Sequence, residues 1–295
     1  MSNKLHILPD NPEEGAIGRF PSWLHRSLPQ GKALFQTESI LQKHRLHTVC
    51  EEAKCPNRWE CYADHTATFL ALGKACTRNC GFCSIDFARQ PLPPEEDEPE
   101  RIAIAAQELG LKHIVVTMVA RDDLPDGGAA HIARILQEVR IRVPGVTLEV
   151  LTSDFCGNHT SLEMISAAKP DVFNHNIETV RSLKHVRHKA TYERTLEVLA
   201  FMREKVPYLK SGLMVGLGER EEEVLETIGD LARVGCRIVT IGQYLQPTKN
   251  KLRVKAFVPK EIYQKYKAYG ESIGIPQMIV GPFVRSSYHA RAAIQ

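Results

Sequence analysis

The chain has 295 residues, 43% of them hydrophobic and 25% charged, with 38 Lys and Arg against 35 Asp and Glu for a net charge of +3. Those averages exclude wholesale disorder, collagen and coiled coil, and the near balance of charge lacks the basic excess of a protein built to neutralise nucleic-acid phosphates. No run reaches the ~18 apolar residues of a membrane span, and Met1 to Asp10 carries neither a secretory apolar segment nor an Arg-rich amphipathic one. No nucleic acid and no membrane are therefore expected as partners, and a cytoplasmic chain with reduced thiols is expected. A chain of this length buries on the order of 75% of its unfolded surface, as one large α/β domain or two smaller ones.

Residues 1–42 hold scattered Pro and Gly with little periodicity and predict an extended arm. Six of the eight cysteines then fall between Cys50 and Cys83, while Cys156 and Cys236 stand alone. Cys50, Cys55 and Cys61 form a C-x4-C-x5-C triad. Taken by itself that triad suits an iron–sulfur cluster or a zinc ion completed by His47 or His65. The run 66–73 (TATFLALG) predicts the first β-strand, and directly after it comes Cys76-Thr-Arg-Asn-Cys80-Gly-Phe-Cys83, a C-x3-C-x2-C loop. Three thiolates on a short loop, with Gly81 allowing a tight turn, can hold three irons of a cuboidal cluster and leave the fourth open to a small-molecule chelate. A structural zinc needs a fourth Cys or His that does not closely follow Cys83, and a dithiol pair at Cys80 and Cys83 leaves Cys76 unexplained.

Residues 91–100 (PLPPEEDEPE) predict a solvated acidic connector. Beyond it apolar runs at 113–119, 146–151, 171–173, 212–217 and 237–241 alternate with amphipathic helical stripes at 102–109, 132–139, 196–202 and 224–232. Near-continuously apolar strands separated by such helices predict a parallel sheet covered by helices, as an open sheet or an incomplete barrel, with ligands at the C-terminal strand ends. The run 184–189 (KHVRHK) is basic, either a solvated loop or a landing patch for an acidic carrier domain. Cys156 and Cys236 are expected to be spare thiols.

Several segments together carry a resemblance: residues 66–86, Glu52-Ala-Lys-Cys55-Pro-Asn57, Arg121 to Gly128, Pro170 to Asn176, Lys210 to Glu219, Ile241 to Pro247 and Gly281 to Ala290 with its Arg-Ser-Ser-Tyr. They resemble the lipoyl synthases, a family of the radical S-adenosylmethionine superfamily, from about Pro21 to Arg291. The resemblance implies an α/β fold: an incomplete (β/α)6 TIM-type barrel of parallel strands with N- and C-terminal extensions. It divides the chain into an extension at 1–65 bearing the auxiliary-cluster cysteines, a barrel at 66–258, and a C-terminal helix and segment at 259–295.

It also implies two 4Fe–4S clusters and S-adenosylmethionine. Cys76, Cys80 and Cys83 would hold the cluster whose open iron is chelated by S-adenosylmethionine. The 5′-deoxyadenosyl radical formed there takes hydrogen from C6 and C8 of an octanoyl chain on a carrier lysine, chemistry beyond any side-chain acid or base. Sulfur would come from the auxiliary cluster on Cys50, Cys55 and Cys61, with Ser287 as a weak, hard fourth ligand suited to losing an iron. Asn176 and Glu178 are candidates for ribose hydroxyls, and Gly216 and Gly218 for letting backbone approach the nucleoside. The implied partners are octanoylated lipoyl carrier domains, namely 2-oxoacid dehydrogenase E2 subunits and the glycine cleavage H protein, and an electron donor such as ferredoxin or flavodoxin. Competing readings from another class are a non-enzymatic iron–sulfur electron carrier and a zinc-organised binding module. The chain departs from the family's common pattern at Ala120, Cys156, Arg220 and His188-Lys189, the last pair standing where Pro-Gly is usual.

Overall fold

The computed structural model describes residues 6–7, 21, 24, 32–63, 67–288, 290 and 294. Most of residues 1–31, His65 and Arg291 lie outside the described residues, as does Thr66 at the start of the first predicted strand.

In chain order the elements are β1 (His6–Ile7), α1 (Lys32–Lys43), β2 (His47–Thr48), α2 (Val49–Glu52), α3 (Arg58–Ala63), β3 (Thr68–Ala71), β4 (Ala75–Cys76), β5 (Asp86–Phe87) and α4 (Glu98–Glu108). There follow β6 (His113–Met118), α5 (Ala129–Arg142), β7 (Thr147–Leu151), α6 (His159–Ala167), β8 (Val172–Asn174), α7 (Tyr192–Met202), β9 (Tyr208–Val215) and α8 (Glu221–Arg233). The chain closes with β10 (Ile238–Gln243), β11 (Ala256–Phe257), α9 (Lys260–Ser272) and β12 (Gln277–Gly281).

All six predicted strands are present as β3, β6, β7, β8, β9 and β10, joined side by side in parallel and each followed by a helix. This is the α/β, incomplete (β/α)6 barrel expected. Both faces of these strands are largely buried because one face meets the helices and the other the interior, and most of the side chains there are apolar. Strand limits are set by backbone that a strand cannot continue. Leu72 and Gly73 turn left-handed after β3 (φ 69° and 85°), and Gly216 (φ 100°) ends β9.

Two strands flank this set beyond the expectation. β12 adds in parallel to β10, and β2 adds antiparallel to β3. β12 thus seats the C-terminal segment on the sheet, bringing residues 282–288 to the same end as the C-termini of the other strands. β1 pairs with β11 away from the main sheet.

Two expectations need correction. The C-terminal end of the predicted extended arm is helical: residues 32–43 form α1, whose Thr37 hydroxyl donates to the Tyr62 carbonyl at 2.8 Å. The acidic stretch at 91–100 is not all solvated connector, since α4 begins at Glu98, which is buried, accepts the Leu72 N–H at 2.9 Å and pairs with His131 at 2.7 Å. The turn after β3 and helix α5 each supply the buried carboxylate with one partner. Among the described residues no helix is long and apolar enough to cross a membrane.

Candidate active site

A cavity of about 470 Å³ opens at the C-terminal ends of the strands. Its wall includes all six clustered cysteines together with Asn176, Glu178 and Ser287. The strand ends contribute Thr117, Leu151 and Met214. Two cysteine triads separated in sequence by the first strand therefore face one space.

The first triad rests on two short helices. Thr48 caps α2, its hydroxyl accepting the Glu51 N–H at 3.3 Å, and this places Cys50 in the helix. Lys54, left-handed at φ 50°, turns the chain so that Cys55 N–H donates to the Cys50 carbonyl at 3.1 Å. Cys61 lies in α3, its N–H bonded to the Asn57 carbonyl at 2.9 Å. Burial pushes the Cys50 thiol up to about 11.

The second triad begins on β4, which pairs with β5. Thr77 donates its N–H and hydroxyl to the Ala120 carbonyl at 3.0 and 2.9 Å, fixing the loop against the end of β6. Cys83 N–H closes a turn onto the Cys80 carbonyl at 3.2 Å. Gly81 is central in that turn but not for left-handed backbone. A Cβ there would meet Leu252 at 2.9 Å, so glycine serves a close approach, with Gly81 N–H on the Val186 carbonyl and Leu252 N–H on the Gly81 carbonyl. Burial raises the thiols of Cys76 and Cys80 and pushes Cys83 up to about 12.

The closing segment meets the first triad directly. Asn57 Nδ2 donates to the Phe283 carbonyl at 2.7 Å, and the Tyr288 hydroxyl donates to Glu60 at 2.8 Å. Ser287 is thereby half-buried on the cavity wall, while its neighbour Ser286 donates to Asn176 Oδ1 at 2.8 Å. Arg285 folds inward, where burial lowers its pKa and the nearby Cys55 charge opposes that.

Gly212 makes this junction possible: a Cβ on it would sit 2.4 Å from Thr240 Oγ1, 3.0 Å from Ser286 Oγ and 3.1 Å from Asn176 Oδ1.

Glu178 is left-handed at φ 67° without being glycine, a strained backbone that clusters at functional sites. It is held by Glu178 N–H on the Gly212 carbonyl and Met214 N–H on the Glu178 carbonyl, at 3.0 and 2.9 Å. Burial raises its carboxyl, against the pull of Arg187. Gly216 and Gly218 are not brought to the cavity wall. A Cβ on Gly216 would lie 2.1 Å from Gln243 Nε2 and 2.5 Å from the Ala256 carbonyl, so the chain's own packing accounts for that glycine, and Gly218 (φ 113°) faces Lys255.

Residues that the spacing did not single out complete the surroundings. Arg78, inside the cysteine loop, is buried and donates to Asp122 at 2.8 Å and Asp154 at 2.6 Å. Burial alone raises the Asp154 carboxyl, and Arg78 reverses this, holding it at about 2. Cys156 is exposed beside that pair, 3.4 Å from Arg78 Nη2, whereas Cys236 is buried. Arg187 turns inward to Thr195 Oγ1 at 2.9 Å and the Ile177 carbonyl at 3.2 Å, so it does not belong to an exposed basic patch. Its place between Val186 and His188 in a run of basic residues hid this.

His175 is buried on the cavity wall, Nδ1 2.9 Å from the Thr152 carbonyl, and burial lowers its pKa from 6.5 to about 4. The unfolded chain therefore takes up this proton first as pH falls. Stability should drop between about pH 6.5 and pH 4, by about 3 kcal/mol from this residue. Urea unfolding of the wild type and His175→Gln at both ends of that window checks it, since equal pH slopes would remove His175 as the cause.

Among the described residues no three His, Cys, Asp or Glu side chains close on a single-ion position. Residues 70–231 match the Radical SAM superfamily, and residues 10–55 match the N-terminal domain of lipoyl synthase of that family. The chain is 58% identical to lipoyl synthase of Protochlamydia amoebophila, over 99% of this chain and 94% of that protein. It is 51% identical to lipoyl synthase of Chlamydia muridarum, over 96% and 93%. Solved structures share the fold. SuiB of Streptococcus suis, bound to S-adenosylmethionine, has a TM-score of 0.58 at 11% identity, with 84% of this chain and 54% of SuiB covered. This chain thus spans about half of SuiB. Methylornithine synthase has a TM-score of 0.55 at 13% identity, with 86% and 72% covered.

Proposed function

This chain belongs to the lipoyl synthase family of the radical S-adenosylmethionine superfamily, and from that premise we propose that Cys76, Cys80 and Cys83 hold the cluster that takes S-adenosylmethionine, with Cys50, Cys55, Cys61 and Ser287 holding the auxiliary cluster. The enzyme is a sulfurtransferase that inserts two sulfur atoms, at C6 and C8 of a protein-bound octanoyl-lysine, using two 4Fe–4S clusters and S-adenosylmethionine. The observation that carries the assignment of residues is that both triads and Ser287 wall a single cavity.

The donor set fits the clusters. Soft thiolates in threes suit iron–sulfur ligation, and thiols that burial keeps neutral would release their protons to solvent as iron binds. When bound, these groups supply an open iron, one-electron chemistry strong enough for an unactivated methylene, and sulfide. The chain's own part is placement. Ser286 orients Asn176, and the strained backbone of Glu178 sets its carboxyl on the cavity wall, where both suit the hydroxyls of a nucleoside. The apolar strand ends Leu70, Leu151 and Met214 give the wall an environment for an alkyl chain and keep water from it.

Functionally, 1–65 serves as the auxiliary-cluster extension, 66–258 as the barrel and 259–295 as the closing segment. The enzyme acts on lipoyl carrier proteins. The carriers we assign are octanoylated lipoyl domains of 2-oxoacid dehydrogenase E2 subunits and the glycine cleavage H protein, in the cytoplasm, with ferredoxin or flavodoxin as electron donor.

Anaerobic reconstitution should give roughly eight irons per chain, as two four-iron clusters require. With an octanoyl-lysine peptide, Ser287→Ala should keep cleaving S-adenosylmethionine while lipoyl product, read by the mass of two added sulfurs, falls to a small fraction. Full product from that variant would remove Ser287 from the auxiliary site.

A further inference from the structure

The loop 76–83 is gripped from outside by a segment more than 100 residues away in sequence. Three hydrogen bonds make the grip. Gly81 N–H donates to the Val186 carbonyl at 2.9 Å, Asn79 N–H donates to His188 Nδ1 at 3.1 Å, and His188 N–H donates to Cys80 Sγ at 3.4 Å. The imidazole accepts through Nδ1, which places its proton on Nε2. Its ring is half-buried and meets Phe87 edge to face with centroids 6.4 Å apart, and Phe87 is the strand partner of Cys76. The next residue, Lys189, is left-handed at φ 61°, a conformation that costs a non-glycine residue about 1 kcal/mol and persists only where its surroundings impose it. Other backbone N–H groups bond to sulfurs of this loop, those of Arg78 and Ala120 to Cys76 and that of Ile85 to Cys83, the Arg78 bond at 3.3 Å and only two residues away, as a turn provides. The His188 bond comes from a separate segment and so has no such local cause.

Hydrogen bonds to cluster sulfurs stabilise the more negative, reduced state and raise the reduction potential. Resting on the assignment of Cys76, Cys80 and Cys83 to the S-adenosylmethionine cluster, we propose that His188 is a positioning residue whose backbone N–H, held in place by the imidazole–Asn79 bond, sets that cluster's potential through Cys80. The chain therefore carries a device that shifts its cluster toward easier one-electron reduction: the donor loses one electron, the cluster gains it, and no bond is made or broken in that step.

The test uses full-length protein in which Cys50, Cys55 and Cys61 are alanine, so that one cluster reports. Redox titration followed by electron paramagnetic resonance should give a more negative midpoint for His188→Pro than for the parent. His188→Ala, which keeps the N–H but loses the tether, should fall between them. An unmoved midpoint in His188→Pro overturns the proposal, and so does an equal shift in both variants, which would make the imidazole the cause. Should His188→Pro not fold, the parent labelled with 15N-histidine decides: a backbone-nitrogen coupling to the reduced cluster in pulsed resonance supports the proposal and its absence overturns it. A triad-deleted protein that binds no iron overturns the cluster assignment and the proposal with it, whereas a cluster that forms with an unmoved midpoint overturns the proposal alone.

Discussion

Cys83→Ala should abolish 5′-deoxyadenosine formation, whereas Cys55→Ala should retain it and lose lipoyl product. The two thiols wall the same cavity but hang from unrelated supports. Cys83 closes the turn of the β4 loop, with its N–H on the Cys80 carbonyl, and is pushed up to about 12 by burial. With only Cys76 and Cys80 left, that loop holds two of the three thiolates a cuboidal cluster needs beside its open iron. Cys55 sits in the turn between α2 and α3, which is joined to the C-terminal segment through Asn57 and Phe283. Losing it dismantles the other wall and leaves the β4 loop untouched. Chromatography for 5′-deoxyadenosine and mass spectrometry of the octanoyl-lysine peptide read the two effects separately. If Cys55→Ala also stops cleavage, the two triads do not act as separate sites.

Lys210→Met should destabilise the protein by about 3–5 kcal/mol at neutral pH, because it strands a buried carboxylate. Glu149 on β7 is fully buried and receives Lys210 Nζ of β9 at 2.8 Å and Asn174 Nδ2 of β8 at 3.1 Å on one oxygen, with His113 Nε2 3.4 Å from the other. Burial alone would raise the carboxyl, but the Lys210 charge and the His113 contact together hold it below the usual range. Asn174 and Lys210 are register partners on adjacent strands, each two residues before a position of the Asn176–Gly212 junction. Adding Glu149→Gln to Lys210→Met should recover more than half of the loss, since the amide oxygen still accepts from Asn174. The single variant's deficit should also shrink as pH falls and the stranded carboxyl protonates. A Lys210→Met protein as stable as wild type at pH 7 would show that the pair holds nothing together.

The sequence made the strands legible because each is a short apolar run flanked by helical stripes, a pattern with few alternatives. β12 escaped because Gln277 to Gly281 is brief and follows Ile275-Pro276, which reads as a turn. α2 and α3 escaped because four and six residues are too few for a helical period to show. The cysteine spacings were legible because three thiols carried on one short segment are local in sequence. Ser287 was visible only through the resemblance, because the contact that brings its segment to the cavity joins residues 226 positions apart. Arg187 and His188 lay in a basic run that reads as solvated surface. Only the fold shows that one turns in to Thr195 and the other onto Cys80. A glycine pair after a strand, as at Gly216 and Gly218, serves internal packing as readily as ligand approach, so sequence alone does not assign it.

The contacts of Asn57 with Phe283 and of Glu60 with Tyr288 span 226 and 228 residues. On the ribosome, where chains grow at about 5–20 residues per second, some 10 to 45 s separate the making of the first partner from that of the second. From the addition of Cys83 to the end of that interval, a nascent chain carries all six clustered cysteines without Ser287 or the closing segment. Iron delivered then would find the β4 loop furnished with its three thiols and the proposed auxiliary site without Ser287. The order of manufacture thus favours filling the auxiliary site after release, and a protein truncated before Phe283 should load one cluster and not two.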